Sequence, residues 1–290
     1  MKAIIVGIDS RIGQALGEAL VSGGHQVHGT SRRQDAVSKG HQHLDLADPG
    51  VERLSLPSAD IAFFCAAITR YADCRASPLL ARRVNVLTPA LLARQLSGRG
   101  TRVVLLSTSA VYDGLSPNVP ASRPPIPVTD YGRLKAEAEA EFLALGRAAA
   151  VVRLTKVLEP NHALFGGWIS GLASGGTISA FSDLGLAPIS IEETVVALMT
   201  VAATPENGIY QVSASRDISY VDAARHVALR LGADPECVIA RGGAEAGVPA
   251  EQLTLFSSLD ASRLTALTGR AAPDPFAVID GVFGPAFVRS

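Results

Sequence analysis

A tyrosine and a lysine stand four residues apart in the segment Tyr131-Gly132-Arg133-Leu134-Lys135. On a helix, residues at this spacing lie on one face, so both side chains can reach one bound molecule. A free tyrosine has a pKa of about 10 and is a poor acid at neutral pH, but a nearby ammonium group lowers that pKa. The pair predicts proton donation to a carbonyl oxygen, although the same spacing is also common among surface residues of helices.

Further hydroxyl groups follow a predicted strand over residues 103–106, in the run Ser107-Thr108-Ser109. In a sheet of parallel strands, ligands bind beyond the carboxyl ends of the strands. A hydroxyl at that place can hold a carbonyl oxygen opposite the tyrosine. We assign this role to Thr108, with Ser109 as the second candidate; the alternative is that these hydroxyls only cap a turn.

A glycine-framed turn lies near the start of the chain, in Gly7-Ile8-Asp9-Ser10-Arg11-Ile12-Gly13. A dinucleotide site needs a tight turn between a strand and a helix, so that the amides of the helix N-terminus face the pyrophosphate. Gly7 permits the turn and Gly13 permits close packing of the helix. Ser10 stands where the middle glycine is usual, and its side chain either crowds the phosphate or donates a hydrogen bond to it. An ordinary strand-to-helix turn is the alternative.

The end of the second predicted strand, Thr30-Ser31-Arg32-Arg33, bears on the choice of cofactor. NAD-binding chains usually place an acid here to hold the ribose hydroxyls. Arginine instead suits the 2′-phosphate of NADP, because it binds phosphate through paired donors. Arg11 adds a third cation, and Asp45, before Leu46, is a candidate for the adenine amino group. The sequence therefore predicts NADP (NADPH), with NAD as the alternative, unless the arginines form only a solvated basic turn.

The elements that must position these residues alternate between short apolar runs and helical patterns. Strands are predicted over residues 3–6, 26–30, 61–65, 103–106 and 151–154, and helices over 12–21 and from residue 130 onward. Strands separated by helices indicate parallel βαβ units with right-handed crossovers. The predicted fold class is therefore α/β, with a doubly wound parallel sheet of the Rossmann type. The proline-rich stretch 116–128 is predicted to be a stiff loop.

The second half of the chain differs in local composition from the first, with glycines clustered between residues 166 and 185. A helix is predicted over 191–201, a strand over 209–212 and another helix over 220–231. We predict an NADP-binding Rossmann domain over 1–154 and a smaller α/β C-terminal substrate-binding domain over 155–290. Segments at about 186–215 are expected to return to the Rossmann domain.

Composition and charge narrow the classes of partner. The 290 residues are 48% hydrophobic and carry a formal net charge of −1, so no strong field attracts nucleic acid or an anionic membrane. Three cysteines without metal-ligand spacing fit a reducing cytosol. No apolar run is long enough to span a bilayer, and charged residues interrupt the apolar start. We expect a cytoplasmic protein with no metal, nucleic-acid or membrane partner.

In combination, these residues resemble the extended short-chain dehydrogenases/reductases of the NAD-dependent epimerase/dehydratase superfamily. The matching motifs are Gly7…Gly13, Asp45-Leu46, Ala66-Ala67, Asn85-Val86, Ser107-Thr108 with Val111-Tyr112, Tyr131…Lys135 and Arg153…Val157. The second half is similar, in residues 188–193, 208–212 and 258–264, to the dTDP-4-dehydrorhamnose reductase branch of that superfamily.

The resemblance implies an NADPH-dependent reductase of a keto nucleotide sugar, in which the nicotinamide supplies the hydride. Tyr131 would protonate the C4 oxygen, Lys135 would tune Tyr131, and Thr108 would orient the carbonyl. The implied cofactor-binding residues are Gly7, Ser10, Arg11, Ile12, Gly13, Ser31, Arg32, Arg33, Asp45, Leu46, Cys65, Ala66, Ala67, Ser107, Tyr131, Lys135 and Val157. The substrate candidates are Thr69, Ser109, Lys156, Trp168 and Arg216; the cations would pair with a diphosphate, and Trp168 would stack on a base or sugar unless it belongs to the core.

Two alternatives stay open at this point. A nucleotide-sugar epimerase of the same superfamily is one, since the serine- and alanine-rich turn before Val111-Tyr112 is also seen in epimerases. A non-catalytic NADP-binding regulatory protein is the other. The run Thr108-Ser109-Ala110 lacks the Asp-Glu pair of sugar 4,6-dehydratases, which argues against a dehydratase. The expected partner is a small-molecule nucleotide sugar; the oligomeric state is open, homodimers formed by helix packing being common for this fold.

Overall fold

A computed structural model of the protein describes residues 1–37 and 41–288. The strands are β1 (Lys2–Val6), β2 (Gln26–Ser31), β3 (Gln42–His43), β4 (Ile61–Phe64), β5 (Arg102–Thr108), β6 (Ala149–Leu154), β7 (Lys156–Leu158), β8 (Ile178–Phe181), β9 (Gly185–Leu186), β10 (Pro188–Ser190), β11 (Gly208–Val212), β12 (Ile218–Ser219) and β13 (Val238–Arg241). Five of them, β1, β2, β4, β5 and β6, are the strands predicted in the first half.

The α-helices are α1 (Arg11–Ser22), α2 (Gln34–Val37), α3 (Tyr71–Ala76), α4 (Pro78–Arg82), α5 (Thr88–Ser97), α6 (Asp130–Leu143), α7 (Ala163–Ala173), α8 (Ile191–Ala203), α9 (Tyr220–Arg230), α10 (Ser262–Thr268) and α11 (Pro275–Phe287). A π-helical turn, Arg83–Leu87, joins α4 to α5, and a 3-10 turn, Ser109–Val111, follows β5. Among the described residues, no helix is both long enough and apolar enough to cross a membrane.

A seven-stranded sheet contains β1 to β6 and, from much further along the chain, β11, in the order β3-β2-β1-β4-β5-β6-β11. Strand β1 pairs in parallel with β2 and with β4, β2 pairs in parallel with β3, and β4 pairs in parallel with β5. The run from β3 to β6 is the strand order of a doubly wound dinucleotide-binding sheet, so the predicted fold class is confirmed. The order reverses between β1 and β4, and ligands of such sheets bind beyond the carboxyl ends of the strands at that point.

Strand β1 shows why the sheet is buried on both faces. Its residues Ala3 to Val6 are each at most 1% exposed, with no polar alternation, as expected for a central parallel strand covered by helices. Helix α1 buries one side through Leu16 and Leu20. In a hydrophobic cluster that also contains Ile4 and Val6 of β1, Phe64 of β4 meets Phe142 of α6 edge to face, with ring centroids 5.0 Å apart.

The chain divides into two compact units. The first contains Met1–Val111, Pro125–Arg153 and Val195–Tyr210, and the second contains Tyr112–Pro124, Leu154–Thr194 and Gln211–Ser290. The predicted boundary at residue 154 lies beside Arg153, while part of the proline-rich loop, predicted within the first domain, lies in the second unit. The sequence predicts that a segment at about 186–215 returns to the first domain. In the structure, Val195–Tyr210 belongs to the first unit.

The second unit has a hydrophobic core of its own. Phe165 of α7 stacks on Phe283 of α11 with ring centroids 4.9 Å apart and an interplanar angle of 4°. Helix α9 supplies Val227, which is fully buried in the same cluster. Short strand pairs, β7 with β10, β8 with β13 and β9 with β12, complete this unit. The substrate-binding role of this part of the chain stays a prediction.

Candidate active site

The glycine-framed turn joins β1 to α1 at the reversal of strand order. Gly7 has φ of +89°, and a Cβ atom on it would lie 2.6 Å from the Cβ of Ala66, so only glycine fits there. The Ser10 hydroxyl accepts a hydrogen bond from the Gly13 amide (3.0 Å) and donates one to the Gly7 carbonyl (2.8 Å). Ser10 is therefore the N-cap of α1. That role differs from both sequence-based options for Ser10, crowding a phosphate or donating to it.

The arginines after β2 differ in their surroundings. The buried Ser31 hydroxyl accepts a hydrogen bond from the Arg33 amide (3.0 Å), which fixes the turn. Arg33 forms an exposed ion pair with Asp35 (2.8 Å), whereas Arg32 is exposed and has no hydrogen bond or ion pair in the described part of the chain. Arg32 is therefore the better placed of the two for an added phosphate. Arg11, exposed, begins α1.

Hydrogen bonds with the backbone hold Asp45, the candidate for the adenine amino group, and the residues that follow β4. An Asp45 carboxylate oxygen accepts from the Ala47 amide (2.9 Å), and Leu46 is buried. The amides of Cys65 and Ala66 both donate to the Val6 carbonyl, at 2.9 and 3.0 Å. Small residues after β4 thus lie directly against the end of β1, next to the glycine turn.

Tyr131 and Lys135 lie in the first two turns of α6. Thr129 caps this helix, because its hydroxyl accepts a hydrogen bond from the Gly132 amide (3.0 Å). A Cβ atom on Gly132 would lie 2.1 Å from the Ala110 carbonyl oxygen, so the helix start lies tight against the 3-10 turn that follows Thr108. The Thr108 hydroxyl accepts from the Ala110 amide (3.1 Å), and its proton has no acceptor in the part of the chain that the structure describes, so it can donate to a ligand.

Burial shifts the pKa of both Tyr131 and Lys135. It raises the pKa of Tyr131, and Tyr71 and Cys74 act in the same direction. It lowers the pKa of Lys135 to about 8, an effect that Glu139 and Cys65 partly offset. The sequence predicted a lowered tyrosine pKa, and this expectation is wrong, because burial dominates. Tyr131 is consequently a protonated phenol at neutral pH, the form that can donate a proton.

A buried ion pair that no sequence pattern predicted involves the same helix. The Glu139 carboxylate accepts hydrogen bonds from the Arg153 guanidinium, among them two at 2.6 and 2.9 Å, and both side chains are at most 2% exposed. The Ser107 hydroxyl donates to the same carboxylate. Glu139 follows Lys135 by four residues, so the spacing that identified the first two residues also pointed to a third on that face. Ser107, assigned to the cofactor, thus lies in this network.

The predicted substrate residues are dispersed over the two units. In the first unit, Thr69 is exposed just before α3, and Ser109 is half-buried in the 3-10 turn. In the second unit, the exposed Lys156 lies in β7, next to the half-buried Val157, which was assigned to the cofactor. Arg216, also in the second unit, pairs with Asp274 at 2.9 Å. The roles of these residues in binding stay predictions.

The structure corrects the stacking role predicted for Trp168. Its side chain is only 4% exposed and belongs to the core of the second unit. The indole contacts Phe165, with ring centroids 4.9 Å apart, and meets Tyr220 edge to face at 6.4 Å. A ring enclosed in this way offers no face to a sugar or base, and the alternative that Trp168 is a core residue holds.

The sequence of this chain is similar to a known family and to two named reductases. A sequence model of the RmlD substrate binding domain matches residues 1–275. A probable dTDP-4,6-dihydroxy-2-methyloxan-3-one 4-ketoreductase of Streptomyces antibioticus is 27% identical over 256 residues, covering 86% of this chain and 84% of the relative. A dTDP-4-dehydrorhamnose reductase of Mycobacterium tuberculosis is 28% identical over 247 residues, covering 81% and 80%.

Solved structures show the same fold. The crystal structure of dTDP-4-dehydrorhamnose reductase from Bacillus anthracis, in complex with NADP, superimposes with a TM-score of 0.82 at 19% identity. The match covers 100% of this chain and 98% of that one. The resemblance to extended short-chain dehydrogenases/reductases seen in the sequence is confirmed.

Proposed function

The chain belongs to the family of the RmlD substrate binding domain, and on this premise we propose that it is an NADPH-dependent reductase of a keto nucleotide sugar. The observation that carries the proposal is a protonated, half-buried phenol, Tyr131, one helical turn from the ammonium of Lys135. Both lie where α6 meets the turn after β5, at the carboxyl end of a central strand. The names of the reductase relatives support the same reaction class.

The residues around the first turn fit a dinucleotide. Gly7 lets the turn lie directly against Ala66, where any Cβ atom would collide, and the amides at the start of α1 suit a pyrophosphate. Arg32, without a protein partner among the described residues, would bind the 2′-phosphate of NADP. When bound, the nicotinamide supplies the hydride for the carbonyl carbon. The NADP complex of the Bacillus anthracis reductase supports this choice of cofactor.

The chain's own residues would supply and control the proton. Tyr131 donates its phenol proton to the carbonyl oxygen, so that ketone, hydride and proton together give the alcohol. The Lys135 ammonium stabilises the phenolate that is left behind. The Thr108 hydroxyl donates a hydrogen bond to the same carbonyl oxygen and fixes its direction. We also propose a cytoplasmic location, supported by the three cysteines, which are free thiols.

Replacing Tyr131 with phenylalanine tests the reaction. We expect Tyr131→Phe to bind NADPH with unchanged affinity and to reduce keto nucleotide sugars at least about 100-fold more slowly, the usual effect of losing a general acid. Cofactor titration and NADPH oxidation at 340 nm measure the two quantities, with Tyr220→Phe in the second unit as the matched control. Unchanged turnover in Tyr131→Phe would refute the role of the phenol.

The same assays separate the two alternatives. A cofactor that stays bound through purification and is regenerated in each cycle would indicate an epimerase. Binding of NADPH without oxidation, across a panel of keto nucleotide sugars, would indicate a regulatory protein.

A further inference from the structure

A second tyrosine lies beside the proposed proton donor. Tyr71 begins α3, and its ring centroid is 6.0 Å from that of Tyr131, with the ring planes tilted by 48°. This is within the range in which aromatic rings attract each other. Tyr71 is half-buried, and its presence contributes to the raised pKa of Tyr131. No sequence motif singled it out, since it lies 60 residues before Tyr131 in the chain.

The Tyr131 phenol needs support from its surroundings. Its hydroxyl has no hydrogen-bond partner within residues 1–37 and 41–288, so packing of the ring must determine where the hydroxyl points. A tyrosine side chain turns about two torsions, and a neighbouring ring restricts both. The Tyr71 hydroxyl likewise has no partner in these ranges, so the contact between the two residues is one of rings.

The segment that carries Tyr71 is itself firmly held. Asn85 makes two hydrogen bonds with the backbone of Ile68, donating to its carbonyl and accepting from its amide, both at 2.8 Å. Cys74, on the next turn after Tyr71, is buried and donates from its thiol to the Ile68 carbonyl. Arg75 forms an ion pair with Asp130, the first residue of α6, at 3.5 Å. These contacts fix α3 against the start of the helix that bears Tyr131.

We propose that Tyr71 is a positioning residue, whose ring holds the phenol of Tyr131 in the direction needed to protonate the substrate carbonyl. The proposal rests on the proposed reductase function, because it assigns to Tyr71 an effect on that proton transfer. The effect belongs to the ring, and the Tyr71 hydroxyl is not required for it.

Two substitutions separate the ring from the hydroxyl. Tyr71→Phe keeps the ring, and we expect its kcat to stay within about twofold of the wild type. Tyr71→Leu removes the ring, and we expect kcat to fall about tenfold, the loss that corresponds to one aromatic pair. The KM for the sugar and the Kd for NADPH should change little in both variants, a split that general unfolding would not produce. An equal loss in both variants, or none in Tyr71→Leu, would overturn the proposal.

A second measurement needs no substrate. The chain has five tyrosines, so the 13Cζ resonances of labelled protein can be assigned with Tyr131→Phe. We expect the Tyr131 resonance to shift in Tyr71→Leu and to stay near its wild-type position in Tyr71→Phe. An unmoved resonance in Tyr71→Leu would refute the positioning contact. The expected shift without any turnover in the wild type would instead refute the reductase function, so the two failures are distinguishable.

Discussion

Tyr131 and Lys135 share one face of α6, and burial favours the neutral form of both. For the phenol this is the form that donates a proton, whereas for the amine it opposes the charge that must stabilise the phenolate. Glu139, one turn further along the helix, acts against the loss of that charge. The pKa of Lys135 therefore lies close to neutral pH, and the protonation state of its side chain changes with pH in this range.

The titration of Lys135 is open to direct measurement. We expect its ammonium to lose its proton around pH 8, because burial lowers its pKa from 10.5 to about 8. Lys135 is charged below that pH and neutral above it, so keto-sugar reduction should slow as the pH rises through this range. The chain has only four lysines, Lys2, Lys39, Lys135 and Lys156, so 13Cε resonances can be assigned with Lys135→Arg. A midpoint above 10 would contradict the predicted effect of burial.

At the residue scale, local sequence patterns predict some features of the candidate site, whereas features set by tertiary neighbours are not predictable in this way. The spacing of Tyr131 and Lys135 and the hydroxyl of Thr108 were found from local patterns, because four-residue spacing on a helix and the end of a strand are local properties. The direction of the shift in the Tyr131 pKa was not predicted, because it depends on burial and on neighbours such as Tyr71 that are distant in the chain. Trp168 was misassigned for a similar reason, since an aromatic residue looks the same in a core and in a binding site.

At the scale of elements, α6 is tied to two strands of the sheet by one carboxylate. Glu139 binds Arg153 of β6 and Ser107 of β5, so the helix that carries Tyr131 is held against the strand that leads to Thr108. The strands and helices themselves were largely predictable from apolar runs and helical periodicity. The two-residue strand β3 was not, because so short a run has no detectable period.

A pair of matched substitutions on α6 tests this tie. Glu139→Gln removes the carboxylate charge that pairs with the buried Arg153 guanidinium, and we expect it to lower the free energy of unfolding by about 3 kcal/mol or more. Glu141→Gln, on the same helix, breaks the exposed ion pair with Arg94 and should cost about 1 kcal/mol or less. Urea unfolding measures both. Similar losses in the two variants would show that burial of the Glu139–Arg153 pair adds nothing.

At the scale of the whole molecule, each unit has its own hydrophobic core, and the proposed cofactor contacts belong mainly to the first. The residues assigned to NADP from Gly7 to Lys135 lie in Met1–Val111 and Pro125–Arg153. The sequence predicted the doubly wound sheet of this unit because its strands and helices alternate in order. It could not define the unit fully, since Val195–Tyr210 joins it from far along the chain through tertiary packing.

Cofactor binding should be visible in the stability of the chain. A ligand that binds only the folded state raises the free energy of unfolding, by about 2.7 kcal/mol at 100 times its Kd. We expect NADPH to stabilise the protein more than NADH at equal concentration, because Arg32 would contact the 2′-phosphate that only NADPH carries. Arg32→Ala should remove this difference, whereas Arg33→Ala, which disrupts the ion pair with Asp35, should retain most of it. Urea unfolding with each cofactor measures the effect, and equal stabilisation of the wild type by NADPH and NADH would refute the preference for NADP.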